Sequence, residues 1–205
     1  MTDVLPPTVE GLATAAELLR GGAVLAFPTD TVYGVGVAAS RADRLEALFA
    51  LKRRPLDRRI PMLVAGLDRV DGWSVDERTA AIAERFWPGP LTLVLPSSSG
   101  GETQAFRAPD HVVALALIAA AGPILATSAN ISDQPDTLGA DEVLIAFATQ
   151  QDELAAVVDG GPVPGGRAST VLDLSVDPPR ILREGPISAE DLGEVIGAPP
   201  AVPAP

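Results

Sequence analysis

The sequence of 205 residues contains no cysteine and a single histidine, His111. Without cysteine the chain cannot form disulfides, thiolate metal sites or a cysteine nucleophile. One histidine excludes histidine-cluster metal sites, and a Ser-His-Asp triad would have to run through His111. Because His111 lies beside Asp110 at the start of a helical pattern, we predict a helix cap or packing residue rather than a general base.

Long apolar runs are missing as well. No segment has the uncharged span of a transmembrane helix, and Met1-Thr2-Asp3 lacks the basic and apolar regions of a signal peptide. We therefore expect a cytoplasmic protein without membrane contact. Since 47% of the residues are hydrophobic, we predict one sizeable domain over residues 1–196. Residues 197–205 are Gly, Ala, Pro and Val only, and we expect a disordered tail there.

Basic residues are scarce and unevenly placed. The chain has 15 Lys and Arg against 27 Asp and Glu, and its net charge of -12 argues against non-specific attraction to a polyphosphate backbone. Residues 52–59 nevertheless hold five of the fifteen cations, including Lys52, the only lysine. This concentration indicates a small anionic ligand. The alternative is a solvated basic helix end, where cations complement the helix dipole.

Two apolar runs end in polar side chains. Residues 23–27 predict a buried strand that stops at Pro28, and Thr29-Asp30-Thr31-Val32-Tyr33-Gly34 follows. Residues 124–126 repeat this design and lead into Thr127-Ser128-Ala129-Asn130. Because open α/β sheets bind ligands at the carboxyl ends of strands, we predict that both loops meet at one cleft. The alternative for the first loop is an ordinary turn capped by Thr and Asp.

The rest of the chain alternates helical and strand patterns. Helices are predicted over residues 8–20, 41–51, 76–86, 112–121, 139–148 and 188–195, and further strands over 60–64, 91–95, 154–158, 171–174 and 180–183. Arg107 lies in an extended segment before Pro109, where its guanidinium could bind a carboxylate or phosphate; the alternative is a surface salt bridge. The Gly/Ser-rich loop over 97–102 could act as a lid.

Six segments, taken together and in this order, resemble the YrdC-like threonylcarbamoyl-AMP synthases. They are Phe27-Pro28-Thr29-Asp30-Thr31-Val32-Tyr33-Gly34, Lys52-Arg53-Arg54-Pro55, Phe86-Trp87-Pro88-Gly89-Pro90-Leu91-Thr92, Arg107-Ala108-Pro109, Thr127-Ser128-Ala129-Asn130 and Gly166-Arg167-Ala168-Ser169-Thr170-Val171. The resemblance covers residues 10–192. It implies an α/β (α+β) YrdC-like fold, in which a twisted mixed sheet with flanking helices curves around a large cationic cavity. Longer members of the family append a second domain, which we do not expect here.

The resemblance also implies an activity. Such an enzyme is an ATP-dependent nucleotidyltransferase that condenses L-threonine, bicarbonate or CO2, and ATP into threonylcarbamoyl-AMP and pyrophosphate. Downstream transferase proteins then use the product to form threonylcarbamoyladenosine in tRNA, so at most weak RNA binding is expected of the synthase. Mg²⁺ would be held mainly by the ATP phosphates and by water, with no protein metal site.

The resemblance assigns roles to those residues of this chain that stand at the family's motif positions. The basic pair that grips the triphosphate, and is assigned as catalytic, is Lys52 and Arg54. The other positions on the nucleotide side are Thr103, Asn130, Thr137 and Arg183. The positions around L-threonine are Thr29, Arg107, Ser128 and Ser169, with Arg107 as the partner of the substrate carboxylate. Thr31 and Tyr33 belong to the same loop as Thr29, and no general base is assigned.

Two departures from the family pattern affect these assignments. Leu63 stands where many relatives have a histidine near threonine, and the segment from Asn130 to Thr137 is one residue shorter than in some relatives. Two other functions compete with the synthase. One is an RNA-binding or ribosome-associated module that uses the same cationic cavity. The other is a carbamoyl-transfer domain like those of hydrogenase maturation proteins, which normally carry zinc-finger cysteines.

Overall fold

The computed structural model describes residues 2–53, 55, 59–150 and 153–202. Within these residues ten strands form one mixed sheet, flanked by helices. The strands are β1 (Asp3–Leu5), β2 (Val24–Phe27), β3 (Gly34–Ala38), β4 (Met62–Leu63), β5 (Leu91–Pro96), β6 (Thr103–Arg107), β7 (Ile124–Ser128), β8 (Leu154–Val158), β9 (Thr170–Asp173) and β10 (Arg180–Arg183). The α-helices are α1 (Val9–Arg20), α2 (Leu45–Lys52), α3 (Glu77–Phe86), α4 (Val112–Ala121), α5 (Ala140–Ala146) and α6 (Ala189–Ile196).

The order of the strands is β1-β8-β2-β3-β7-β4-β6-β5-β9-β10. β3 is antiparallel to both of its neighbours, β2 and β7, so these two strands run in the same direction. Phe27 at the end of β2 and Ser128 at the end of β7 both pair with Gly34. The register therefore confirms that the two polar loops leave the sheet at the same end of the strands, with one strand, β3, between them.

Helix ends follow the capping signals in the sequence. Asp76 caps α3 by accepting a 2.7 Å hydrogen bond from the Thr79 amide, and His111 caps α4 by accepting a 3.2 Å bond from the Val113 amide through Nδ1. The cap predicted for His111 is therefore confirmed. The helix predicted from residue 41 begins later: residues Ala39–Arg44 form a 3₁₀ helix with Arg41 outside helical geometry, and α2 starts at Leu45.

β3 lies outside the predicted pattern because its two glycines are typical of a turn. At Gly36 an added Cβ would lie 2.4 Å from the Leu125 carbonyl oxygen and 2.8 Å from the Ala126 Cβ, so the approach of β7 leaves room only for glycine. At Gly34 the nearest atoms would lie 3.6 Å away, which is ordinary contact distance. Gly36 therefore serves the packing of the sheet, and only Gly34 borders the cavity described below.

Three hydrophobic clusters hold the helices on the sheet. One joins β2, β3 and β8 to α2 and α5, and a second joins β2, β7 and β8 to α1 and α4. The third lies between β5, β6, β9, β10 and the helices α3 and α6. Alternate residues of β5, such as Leu91 and Leu93, enter this third cluster, while Thr92 and Val94 face the other way. One face of these four strands is thus left without a helix.

The described part of the predicted tail is not separate from the sheet. Ala201 accepts a 2.7 Å hydrogen bond from the Ile181 amide and donates a 3.2 Å bond to the Pro179 carbonyl. Pro199 packs against Gly193 of α6, where an added Cβ would lie 2.9 Å from the proline nitrogen. Residues 199 and 201 therefore contact α6 and β10. Residues 203–205 of the predicted tail lie outside the described residues, and the expectation of a disordered tail stays a prediction.

Within the described ranges, none of the helices combines the length and the apolar character that crossing a membrane would require.

Candidate active site

A cavity of about 550 Å³ occupies the uncovered face of β5, β6, β9 and β10. The loop after β2, the end of β7 and the segment before β9 complete its walls. The polar residues that line it are Thr29, Thr31, Arg59, Thr92, Thr103, Arg107, Thr127, Ser128, Ser169, Asp173, Ser175, Arg180 and Arg183. A space of this size can hold a drug-sized ligand or a small substrate pair.

The charge of the lining is opposite to that of the chain. The charged residues in the described walls are four arginines and one aspartate, whereas the whole sequence carries a net charge of -12. Asp173, the lining aspartate, receives 3.0 and 2.5 Å hydrogen bonds from the amide and hydroxyl of Ser175 and a 3.3 Å contact from Nε of Arg180. Because Arg107 is also paired, with the largely buried Asp30, the two remaining arginines and the hydroxyl groups make the lining suited to an anionic ligand.

The four side chains predicted around threonine all line this cavity: Thr29, Arg107, Ser128 and Ser169. Thr29 is fixed by its hydroxyl, which donates a 2.7 Å hydrogen bond to the Val32 carbonyl. The Ser169 hydroxyl lies 2.8 Å from that of Thr92 and accepts a 3.1 Å bond from Arg183. Residues more than a hundred positions apart in the sequence are thus brought to one cavity.

Arg107 is buried at the end of β6, with 7% of its surface exposed. Its Nε donates to the Gly89 carbonyl at 3.1 Å, Nη1 to the Thr31 hydroxyl at 3.0 Å and Nη2 to Oδ1 of Asp30 at 2.5 Å. Burial lowers the pKa of Arg107, and the negative charge of Asp30 opposes that shift. The surface salt bridge considered from the sequence is therefore wrong, because the ion pair is inside the protein.

Asp30 is the site residue that sequence reasoning noted without assigning a role. Its side chain is 13% exposed, and its second carboxylate oxygen, Oδ2, is buried without a hydrogen-bond partner among the described residues. A carboxylate between two threonines at a strand end was the available signal. Its cationic partner is 77 residues away in the chain, so the pair could not be read from local sequence.

The four predicted nucleotide-side residues divide into two groups. Thr103 and Arg183 line the cavity, whereas Asn130 and Thr137 are buried behind its wall. Arg59, from the predicted basic cluster, donates to both the carbonyl and the hydroxyl of Thr103. Arg183 donates to the Ser169 carbonyl through Nε at 3.0 Å and Nη2 at 2.9 Å, and burial lowers its pKa.

Thr137 connects the two polar loops, and Asn130 holds the second loop together. The Thr137 hydroxyl donates to the Ala129 carbonyl at 2.9 Å, and its own carbonyl accepts a 2.9 Å bond from the Tyr33 amide. Oδ1 of Asn130 accepts a 2.6 Å bond from the Ser128 hydroxyl. Tyr33 is itself buried and donates its hydroxyl proton to the Gly161 carbonyl at 2.8 Å.

Lys52 lies at the end of α2 and is 2% exposed. Its ammonium donates to the Ser128 carbonyl, to the Asn130 carbonyl at 2.6 Å and to Oδ1 of Asn130 at 3.2 Å. In this arrangement the only lysine is bound to the Ser128–Asn130 turn and is not part of the cavity lining. Arg54, its predicted partner on the triphosphate, lies outside the described residues.

Leu63, the residue that replaces a histidine of many relatives, lines the cavity and pairs in register with Arg107. This wall of the cavity is therefore apolar next to the Arg107 guanidinium.

His111 is the N-cap of α4, as described above, and burial lowers its pKa while Asp30 and Asp110 oppose the shift. Within the described ranges no three His, Asp or Glu side chains form a cluster that could hold a metal ion.

Comparison with known proteins gives the family context of this site. The family model Sua5_yciO_yrdC, described as telomere recombination, matches residues 17–185. The threonylcarbamoyl-AMP synthase of Bacillus subtilis (strain 168) is 40% identical over 96% of this chain and 60% of its own length. A putative threonylcarbamoyl-AMP synthase of Mycobacterium leprae is 36% identical over 93% of this chain and 90% of its own length.

A solved structure supports the same grouping. The crystal structure of Pyrococcus abyssi Sua5 complexed with L-threonine superimposes with a TM-score of 0.89 at 35% identity, and covers 99% of this chain and 62% of that one. The chain therefore spans about 60% of the length of the Bacillus relative and of the Pyrococcus structure, and 90% of the shorter mycobacterial relative.

Proposed function

The chain belongs to the Sua5/YciO/YrdC family, and we propose that it is an L-threonylcarbamoyladenylate synthase. It would condense L-threonine, bicarbonate or CO2, and ATP into threonylcarbamoyl-AMP and pyrophosphate. The observation that carries this proposal is the lining of the cavity, where Arg107 and three hydroxyl-bearing residues from three separate segments face one space. The wall holds the groups that would be needed to bind an amino acid next to a phosphate-bearing ligand.

The proposed reaction needs positioning more than covalent chemistry by the protein. The threonine amine first becomes a carbamate, and a carbamate oxygen then attacks the α-phosphorus of ATP while pyrophosphate leaves. Alignment of the two reactants and positive charge near the developing anion account for most of such a rate enhancement. Arg107, Thr29, Ser128 and Ser169 would hold the amino acid, and Thr103 and Arg183 the nucleotide.

We also propose Lys52, Arg54, Asn130 and Thr137 as nucleotide-side residues. This assignment rests on the resemblance of their motifs to those of the family, and the Lys52 ammonium and the Asn130 side chain would also fix the turn that carries Ser128. The two hydrogen bonds that Arg183 donates to the Ser169 carbonyl would fix the orientation of its guanidinium for binding the nucleotide. Mg²⁺ bound through the ATP phosphates fits a site whose described residues offer arginines and hydroxyls and no cluster of acidic side chains, and would neutralise charge on the phosphates.

The product would be passed to transferase proteins that modify tRNA, and the enzyme would work in the cytoplasm with at most weak binding of RNA. The alternative of an RNA-binding module is not favoured by the named relatives. In addition, Phe86, which would have to be exposed to stack on a base, packs in the third hydrophobic cluster. A small cavity with arginines on its walls suits nucleotide-sized anions better than a polynucleotide track.

Product analysis tests the proposal. The purified chain is incubated with ATP, Mg²⁺, isotopically labelled bicarbonate and each of a panel of amino acids, and the products are identified by mass spectrometry. We expect labelled threonylcarbamoyl-AMP and an equal amount of pyrophosphate with L-threonine. ATP hydrolysis without a labelled adenylate, or labelled product with another amino acid only, would contradict the proposed activity.

Arg107→Ala should lower the rate of product formation at low threonine concentrations by about tenfold to a hundredfold. A matched control is Arg167→Ala, since the Arg167 side chain is 61% exposed and lies in a 3.9 Å contact with Glu184.

A gel-shift titration with tRNA at physiological salt tests the alternative function. Micromolar tRNA binding by a chain that makes no adenylate would favour the RNA-binding module.

A further inference from the structure

Asp173 is the acidic residue of a cavity whose other charged lining residues, in the part of the chain that the structure describes, are arginines. It lies in β9 and is 4% exposed. Its Oδ1 accepts hydrogen bonds of 3.0 and 2.5 Å from the amide and hydroxyl of Ser175, whereas Oδ2 has one long contact, 3.3 Å to Nε of Arg180. Because a carboxylate oxygen can accept two hydrogen bonds, Oδ2 can accept another one from a ligand.

The register of the sheet gives the position of Asp173 relative to the proposed threonine end of the cavity. Thr92 of β5 pairs with Val171 of β9, and Val94 pairs with Asp173. The side chains of all four residues line the cavity. The Thr92 hydroxyl lies 2.8 Å from that of Ser169, so the first pair belongs to the threonine end. Asp173 lies two residues further along the strand, a distance of about 7 Å.

The basic side of the cavity lies across the sheet from Asp173. Val94 pairs with Ala105 of β6 on its other side, and Arg59 donates to the carbonyl and hydroxyl of Thr103 at the start of β6. Since β5 stands between β6 and β9, the two strands are about 10 Å apart. A guanidinium attracts a triphosphate and a carboxylate repels it, so the pyrophosphate part of ATP belongs on the β6 side and the nucleoside part on the Asp173 side.

We propose that Asp173 accepts a hydrogen bond from a ribose hydroxyl of the nucleotide and makes the enzyme selective for ribonucleotides over deoxyribonucleotides. This inference rests on the proposed function, in which ATP binds in this cavity next to threonine. The ribose is joined to the α-phosphate through one oxygen and one carbon atom, so it lies one short step from the reacting phosphorus. Acidic side chains bind ribose hydroxyls in the same way in dinucleotide-binding folds.

Apolar side chains at the same end of the cavity suit the other half of a nucleoside. Val176 and Leu182 line the cavity beside Asp173, and Leu182 is 45% exposed. An exposed apolar surface next to a hydroxyl acceptor matches a base joined to a sugar, because the face of the base is apolar and the sugar carries the donors. The amino group of adenine is the competing donor, and the test separates it from the ribose.

The test compares ATP with 2′-deoxy-ATP, 3′-deoxy-ATP and ITP, in which a carbonyl replaces the adenine amino group. Dissociation constants are measured by calorimetry on the full chain with Mg²⁺, without threonine and bicarbonate, so that no reaction consumes the nucleotide. The wild type should bind at least one of the deoxynucleotides about tenfold more weakly than ATP, the effect of one hydrogen bond to a charged group. ITP should bind within about twofold of ATP.

Asp173→Asn should reduce the discrimination between ATP and that deoxynucleotide to about twofold or less. The two donors of Ser175 hold the amide oxygen, so the amide nitrogen takes the place of the acceptor Oδ2. The ratio of the two dissociation constants is the measured quantity, because loss of a negative charge favours every nucleotide alike. Asp177→Asn is the matched control, since Asp177 lies between β9 and β10, is 87% exposed at its side chain and contacts Arg78 at 3.3 Å. It should keep the wild-type ratio.

Three results would overturn the inference. The first is equal affinity of the wild type for ATP and both deoxynucleotides. The second is a wild type that discriminates against ITP but not against the deoxynucleotides, since Asp173 would then recognise the base. The third is discrimination that persists in Asp173→Asn. If this variant does not fold, the wild-type comparison decides: preference for ATP over a deoxynucleotide supports the inference, and equal affinity overturns it.

The same nucleotides separate this inference from the proposed function. A wild type that prefers ATP to a deoxynucleotide but forms no threonylcarbamoyl-AMP would contradict the proposed function and support the role of Asp173 in nucleotide binding. A wild type that forms the threonylcarbamoyl adenylate equally well from ATP and both deoxynucleotides would overturn only the role of Asp173. A chain that binds none of these nucleotides would overturn both.

Discussion

Replacement of Lys52 should affect stability and both halves of the cavity at once. The Lys52 ammonium is buried and donates to the carbonyls of Ser128 and Asn130. Lys52→Met keeps most of the aliphatic stem but removes the charge, so these two carbonyls lose a charged donor worth about 1.5–3 kcal/mol each. Relief of the desolvation of the buried cation offsets part of this loss. We expect the free energy of unfolding to fall by about 2–4 kcal/mol.

Urea denaturation followed by circular dichroism measures this change, with Arg69→Met as control because Arg69 is an exposed cation beside Asp68. At temperatures where Lys52→Met is still folded, it should bind both threonine and ATP more weakly and release no pyrophosphate. The reason is that Ser128 lies on the proposed threonine side and Asn130 on the nucleotide side. Lys52→Ala should be less stable again by about 1–2 kcal/mol because the stem is lost as well.

Two results would refute this reasoning. A Lys52→Met variant within about 0.5 kcal/mol of the wild type would mean that the ammonium does not hold the turn. A stable variant that loses ATP binding alone and keeps its threonine affinity would mean that Lys52 acts only on the phosphates. Near-normal turnover would contradict both the structural and the phosphate role.

Three further predictions concern single positions. Arg107→Ala should raise the threonine KM by about tenfold to a hundredfold while the ATP KM stays unchanged, measured by steady-state pyrophosphate release; an unchanged threonine KM would exclude the assigned contact. Gly36→Ala should lower the free energy of unfolding by about 3 kcal/mol or more, because its Cβ would meet the Leu125 carbonyl at 2.4 Å. Gly34→Ala, whose Cβ would have its nearest atoms at 3.6 Å, should keep the thermal midpoint of the wild type. Equal midpoints for the two variants would refute this prediction. Burial lowers the pKa of His111 below its ordinary value of 6.5, so as the pH falls below that value the unfolded chain takes up the proton first and the free energy of unfolding declines. His111→Asn, which can still cap the helix, should remove this part of the pH dependence of stability, measured by urea titrations at several pH values. An identical pH profile for the variant and the wild type would show that His111 does not contribute.

Local sequence predicted the features that depend on neighbouring residues. The start of α4 follows from the cap His111, and the strands 154–158 and 180–183 follow from apolar runs between turn residues. The convergence of the two polar loops was also predicted from the sequence, because the carboxyl ends of strands that run in the same direction lie at the same end of a sheet. β3 did not follow, since Gly34 and Gly36 indicate a turn unless the closeness of β7 is known.

The site's electrostatics could not be predicted because they join distant residues. Asp30 and Arg107 are 77 residues apart, and Lys52 and Asn130 are 78 apart. From the sequence, Lys52 was predicted to bind phosphates, and Arg107 was predicted to bind a carboxylate or phosphate, with a surface salt bridge as the alternative. Burial gives each of them partners inside the protein: carbonyl oxygens for Lys52, and a carboxylate for Arg107.

The pairing of Phe27, Gly34 and Ser128 across three adjacent strands fixes the distance between the two polar loops. That distance is twice the interstrand spacing, about 10 Å, and backbone hydrogen bonds set it whatever side chains the loops carry. The side chains on either loop can therefore change while the spacing of the two loops stays the same. A change of substrate in such a scaffold requires new side chains but no new geometry.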